Sequence, residues 1–306
     1  MLLLIVVSAL LHVSVASRME TNQDPSALTN KLLFGYQGWF STGNTDLGWR
    51  HWSMGGAPSN ITVTFDLFPE MSEYPLYTSL DNGTELVYKS SLEQVALYDS
   101  LAAVDTHFRW MAEYGINGVV LQRFVNELSP QGESYTRRNE ILLACMEAAE
   151  KYERVFMVEY DTSGAPEDSW DATVLADWGF LVNELKVASS PMYQHHDGKP
   201  VLLLFGIGFS EHPGTPESAL SLVASLRSDW GCYYVGHVPT YWRTGDGDGQ
   251  PGYDQVYAAM DVLSPWLVGR FEDEAGFQRM FNDVFLSDVE LTQQRGQGYA
   301  PVSSSV

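Results

Sequence analysis

From Gly118 onward one pattern repeats: a short apolar run, a stretch with helical period, then another short apolar run. GVVLQRF (118–124), VFMVEYD (155–161), VLLLF (201–205), a run from Cys232 to Gly236 and one from Val262 to Val268 read as strands. Between them lie amphipathic segments with Ile141, Cys145, Ala148 and Tyr152 on one face, then Val174, Trp178, Leu181 and Leu185, then Val223, Leu226 and Trp230. Thr215 is placed to cap the third of these, with Pro216 at its first position. A short helix is expected near Tyr253 to Met260, and a last one from Glu274 to Leu286 with Phe277, Phe281 and Val284 inward. Strict strand–helix alternation implies parallel βαβ units. No glycine-rich phosphate loop follows the first strand, which disfavours the doubly wound nucleotide-binding sheet. The fold class that remains is α/β, a (β/α)8 TIM-barrel type, whose chemistry sits at the carboxyl ends of its strands.

Upstream, the strand Leu32-Leu33-Phe34 opens into YQGWFSTGNTDLGWRHW, and a helix with Val104, Phe108 and Met111 inward stops at Gly115. The segment from Ile61 to Leu67 is either a barrel strand or an excursion, so the count is six or seven βα units. After Leu286 the chain turns polar, and residues 291–306 are expected to be a tail with at most the start of a strand. On this reading residues 31–290 form a barrel lacking the last one or two βα units.

The first 17 residues, MLLLIVVSALLHVSVAS, form an apolar run too short for a membrane span and ending in small residues, the pattern of a secretory signal peptide. Sequons at Asn60 and Asn82 agree with a secreted glycoprotein. With 39 Asp and Glu against 17 Lys and Arg, the chain repels phosphate backbones and anionic membranes, so neither nucleic acid nor, after signal removal, a membrane is an expected partner. The two cysteines, Cys145 and Cys232, are expected as buried thiols. No metal-ligand spacing is present, His195-His196 reads as a solvated pair, and neither cofactor nor metal is expected.

The loop after the first strand carries Tyr36, Trp39, Phe40, Trp49 and Trp52 among Gln37, Arg50 and His51. Aromatic faces beside hydrogen-bonding groups suit a sugar, although the same rings could plug one end of the barrel. Polar groups at the other strand ends are Gln122 and Arg123, Glu159 and Asp161, His237 with Tyr241, Trp242 and Arg243, and Trp266 with Arg270. Glu159 and Asp161 alternate with Val158 and Tyr160, so both acids point one way, into the barrel if the other pair faces the helices. They could act on substrate or pair with Arg123. Glycoside hydrolysis needs two carboxyl groups, about 5 Å apart for retention or 6.5–9.5 Å for inversion. Asp66, Glu70 and Asp254 are the further candidates.

GYQGWF, GWRHW, VDTHFRWMAEYGINGVVLQRF, VFMVEYDTSG and MDVLSPWLVGR together resemble the secreted barrels of glycoside hydrolase families 99 and 71, some of them xylosidase/arabinosidase-like. The resemblance runs from Leu32 to Arg270. It implies action on the glycosidic bonds of a poly- or oligosaccharide without a metal, with Tyr36, Trp39, His51, Trp52 and Arg123 lining the cleft. Family 99 carries its two essential carboxylates in an E-x-x-E motif near the last barrel strand, and this sequence shows none there. The alternatives to an enzyme are a non-catalytic carbohydrate-binding barrel and an inactive truncated fragment.

Overall fold

The computed structural model describes residues 23–38, 49–51, 53–59, 61–64, 73, 102–130 and 132–302. It begins with strand β1 (Leu33–Tyr36), helix α1 (Ala102–Tyr114), β2 (Gly118–Phe124), α2 (Glu133–Tyr152), β3 (Val155–Asp161) and α3 (Trp170–Asn183). Then come the two-residue β4 (His195–His196), β5 (Lys199–Phe205), α4 (Pro216–Trp230), β6 (Tyr233–Val238), α5 (Asp254–Ala258) and β7 (Val262–Pro265). A last helical run comprises α6 (Glu274–Met280), a π-helical turn (Phe281–Phe285) and α7 (Leu286–Arg295), and β8 (Gly298–Tyr299) follows it.

Among the described residues seven strands lie side by side in the order β1-β2-β3-β5-β6-β7-β8, every neighbouring pair parallel. β4 is antiparallel to the start of β5. The sheet curls into a partial (β/α) barrel with the helices alternating along it. Because Leu33 registers directly with Gly118, nothing is inserted between β1 and β2. Of the segment beginning at Ile61, residues 61–64 form a turn whose Val63 bridges Ser53, and the rest lies outside the described residues.

The strands bury the residues that alternation assigns to the helix side. Val119, Leu121, Phe156, Val158, Leu202, Leu204 and Tyr234 are essentially inaccessible, packed in one cluster with Cys145, Trp178, Leu222 and Leu226 of the helices. Both cysteines are buried free thiols, and burial pushes the Cys232 thiol up to about 11. α4 starts as its sequence dictates, with a reciprocal capping box between Thr215 and Ser218. His195 and His196 are half-buried rather than solvated: the His196 Nδ1 accepts from the Leu28 N–H at 3.1 Å.

The largest departure from the sequence reading is at the end. The final helix does not stop at Leu286 but runs through the π turn to Arg295, and the start of a strand expected in the tail is the two-residue β8, paired with β7. Asp288, on the first turn of α7, accepts from Trp242 Nε1 (3.0 Å), Arg243 Nε (3.0 Å) and the Tyr299 hydroxyl (3.1 Å). β7 is correspondingly short, ending at Pro265, though Trp266 still bridges Val302.

Candidate active site

Arg123 shows which way the strands face. Its guanidinium donates to Asp177 of α3 through Nε (2.9 Å) and Nη2 (2.7 Å), and Nη2 also reaches Asn139 of α2 at 3.0 Å. The Tyr160 hydroxyl donates to the same Asp177 at 2.7 Å. Arg123 and Tyr160 therefore point outward into the helix layer, and Gln122, Glu159 and Asp161, one residue to either side, point into the barrel. This corrects two expectations: Arg123 neither lines the cleft nor pairs with the acids of β3.

Four of the expected residues do meet the acids or their partners. Gln122 registers with Glu159, and its Nε2 donates to Asp161 Oδ2, while Gln37 Nε2 donates to Gln122 Oε1. The other Asp161 oxygen, Oδ1, accepts the Ser163 N–H at 2.7 Å. Burial raises the Asp161 pKa from its ordinary value; the Ser163 bonds oppose that, the Glu159 charge adds to it and the nearby His212 opposes it. His237 registers with Phe205, and its Nδ1 touches Glu159 Oε1, outside the angles of an aligned hydrogen bond. Trp266 lies edge-on to Phe205 at 5.0 Å between ring centres, and 6.2 Å from His237.

Phe205, Phe209 and His212 belong to this wall and were missed, because only polar strand ends were read as functional. Inward alternation along β5 would have placed Phe205 there. Phe209 lies 5.3 Å from Phe205, and His212 lies 5.5 Å and 5.3 Å from the two phenylalanines. The His212 Nδ1 is 2.9 Å from Thr162 Oγ1, and burial lowers its pKa. That contact exists only because residue 206 is a glycine at φ +100°, where a Cβ would lie 2.1 Å from Thr162 Oγ1 and 2.2 Å from His212 Nδ1.

Several other expected residues lie elsewhere. The Tyr36 hydroxyl contacts His107 Nδ1 of α1 at 2.9 Å, on the helix side, because Tyr36 occupies an outward position of β1. Trp242 is buried in the core with its indole N–H on Asp288. Tyr241 and Arg270 line a separate cavity of about 520 Å³ with Phe271, Glu272, Arg279 and Asp283. Arg270 is held by Thr240 Oγ1 at 2.8 Å and by Asp248. His51 is exposed, near Arg138 and Glu127. Asp254 pairs with Arg295 at 2.6 Å, away from the acids of β3. Trp39, Trp52, Asp66, Glu70, both sequon asparagines and residues 1–17 lie outside the described residues.

Among the described residues no group of three or more His, Cys, Asp or Glu side chains is placed to hold a metal ion. No helix among them is long and apolar enough to cross a membrane.

The molecule is thus a partial (β/α) barrel with an acid pair inside the carboxyl end of its third strand. Among solved structures, it resembles the GH99 endo-alpha-mannosidase from Bacteroides thetaiotaomicron, with a TM-score of 0.58 at 14% identity over 89% of this chain and 70% of that one. A second structure of that type, in complex with BIS-TRIS-Propane, gives 0.56 at 14% identity over 89% and 68%. At such identities the likeness is one of fold. No known family profile and no curated protein sequence matches this chain.

Proposed function

We infer that this protein acts on the glycosidic bonds of a poly- or oligosaccharide as a secreted, glycoside hydrolase-like barrel. The observation that carries the reading is the placement of Glu159 and Asp161 on one inward face at the carboxyl end of β3, beside Phe205, His237 and Trp266. Residues two apart on a strand project from the same face about 6.6 Å apart at the backbone, so the two carboxyl groups open side by side into the barrel, and paired carboxyls are the groups that cleave sugars. Rings at the edge of such a pair offer stacking faces for a pyranose. The mannosidase with this fold is an enzyme of the same general class, which supports the reading without naming the sugar or linkage. No cofactor is invoked, and the apolar residues 1–17 support export.

In this mechanism one carboxyl group gives a proton to the leaving oxygen, and the other meets the positive charge that develops at the anomeric carbon. The test is hydrolysis of a panel of aryl glycosides and glycans by the full chain, with Asp161→Asn and Glu159→Gln alongside. Turnover that falls at least about a hundredfold in both variants supports the assignment. Turnover untouched by either places the chemistry elsewhere.

One observation favours a second reading, a carbohydrate-binding barrel without catalysis. Both acids are about 95% or more buried, and each already has protein partners. Retention on immobilised glycans with no turnover of any of them would select it.

A further inference from the structure

Asp161 sits at the inner end of a chain of side-chain contacts that begins outside the barrel. Arg138 of α2, only 7% exposed, pairs with Glu127 at 2.6 Å and lies 5.7 Å over the Phe124 ring. Its Nη1 donates to the backbone carbonyl of Gln37 at 3.0 Å, fixing the residue that follows β1. From there Gln37 Nε2 donates to Gln122 Oε1, and Gln122 Nε2 donates to Asp161 Oδ2.

The polarity of this chain is set from its inner end. A carboxylate only accepts hydrogen bonds, so Gln122 must turn its NH₂ toward Asp161, which leaves its carbonyl facing Gln37. Gln37 must then present its own NH₂. A protonated Asp161 would be served as well by the flipped amide, whereas the anion is served only by this orientation. With the Ser163 N–H on Oδ1, both Asp161 oxygens accept from neutral donors.

We propose that Gln37 and Gln122, anchored by Arg138, are positioning residues that hold Asp161 as the anionic member of the Glu159–Asp161 pair. Asp161 is then the group that meets positive charge on the sugar; this role rests on the carbohydrate-cleaving reading, whereas the relay itself does not. The charged groups acting on Asp161 are Glu159 of its own strand and His212 from the loop after β5. The amides work against burial and Glu159, in the same direction as His212.

The experiment follows the carboxyl carbon of Asp161 by NMR in the full chain labelled with ¹³C-aspartate, the resonance being assigned by its loss in Asp161→Asn. In Gln122→Leu the midpoint should rise by about one pH unit, the size expected for one lost donor to a charged group. In Gln37→Leu, which leaves Gln122 free to flip, and in Arg138→Met it should rise by less. A merely structural role for these residues would lower the unfolding temperature and leave the Asp161 midpoint in place. An unchanged or lowered midpoint in folded Gln122→Leu overturns the proposal, and Gln37→Leu decides it in the same way should Gln122→Leu fail to fold. If no glycan is cleaved, the titration still judges the relay. If Asp161→Asn abolishes hydrolysis while the midpoints stay fixed, the relay falls and the function stands.

Discussion

Arg123 is a residue whose sequence context and structural role diverge. It follows Gln122 at the end of a barrel strand, where a cation reads as a ligand for substrate or for a neighbouring acid. The structure gives it to Asp177, both side chains being 2% exposed or less. A buried pair of this kind adds little net stability over apolar residues of the same shape, but removing one partner strands the other. Arg123→Met is therefore expected to cost about 3–5 kcal/mol in urea unfolding, and Asp177→Leu a similar amount. The double variant should lose much less than the sum, because neither charge is left behind. Additive losses would mean that the two residues act separately. Legibility at this scale followed alternation and failed where residue type was trusted over it. Glu159 and Asp161 share a face because they alternate with Val158 and Tyr160, and the Tyr160 bond to Asp177 makes that face the inward one. The same rule, applied to β2, sends Arg123 out and Gln122 in, and applied to β5 it brings Phe205 to the site.

Among the elements, β2, β3, β5 and α4 were legible nearly to their ends, since short apolar runs and a Thr-Pro helix start are local signals. The run from α6 to α7 was not. Past Leu286 its sequence SDVELTQQR offers little apolar period, because what it buries is polar: Asp288 and Thr292 are each 1% exposed. Asp288 gathers Trp242, Arg243 and Tyr299, three contacts that come from other elements and leave no periodic trace. Burial raises the Asp288 pKa, with the Arg243, Trp242 and Tyr299 bonds opposing. A carboxyl raised in the folded state binds its proton more readily there than in the unfolded chain. Its contribution is then greatest below the unfolded value of about 3.9 and is lost as pH rises through the folded value. Asp288→Asn cannot titrate, so the stability advantage of the natural chain over it should shrink as pH rises across the carboxylate range and then level off. Urea unfolding of both proteins from about pH 3.5 to 7 measures the trend. An advantage that grows with pH would show that the three donors outweigh burial.

At the scale of the molecule, the parallel strands β1, β2, β3, β5, β6, β7 and β8 share one direction, and their carboxyl ends place Gln37, Gln122, Glu159, Asp161, His237 and Trp266 on one side of the sheet. The last of those strands is the two-residue β8, and the sheet's integrity at that end rests on a segment the sequence presents as a tail. Gly298 N–H donates to Asp261 (2.8 Å), Ala300 N–H to Leu263 (3.0 Å) and Val302 N–H to Pro265 (3.0 Å), while Val302 accepts from Leu267 N–H at 3.1 Å. Ser264 Oγ donates to the Ala300 carbonyl at 2.5 Å, and Gln297 Nε2 reaches the Tyr257 and Met260 carbonyls at 2.7 and 2.6 Å. Each such bond contributes about 0.5–1.5 kcal/mol net, so their loss together is comparable with a typical total stability of about 5–15 kcal/mol. Cutting the chain after Gly296 would also bare the edge of β7, leaving its backbone groups open to other chains. The shortened chain is therefore expected to unfold at much lower urea than the full one and to form aggregates visible by light scattering. An unfolding midpoint unchanged by the cut would show that residues 297–306 are the polar tail their composition suggests, and that the barrel ends at β7.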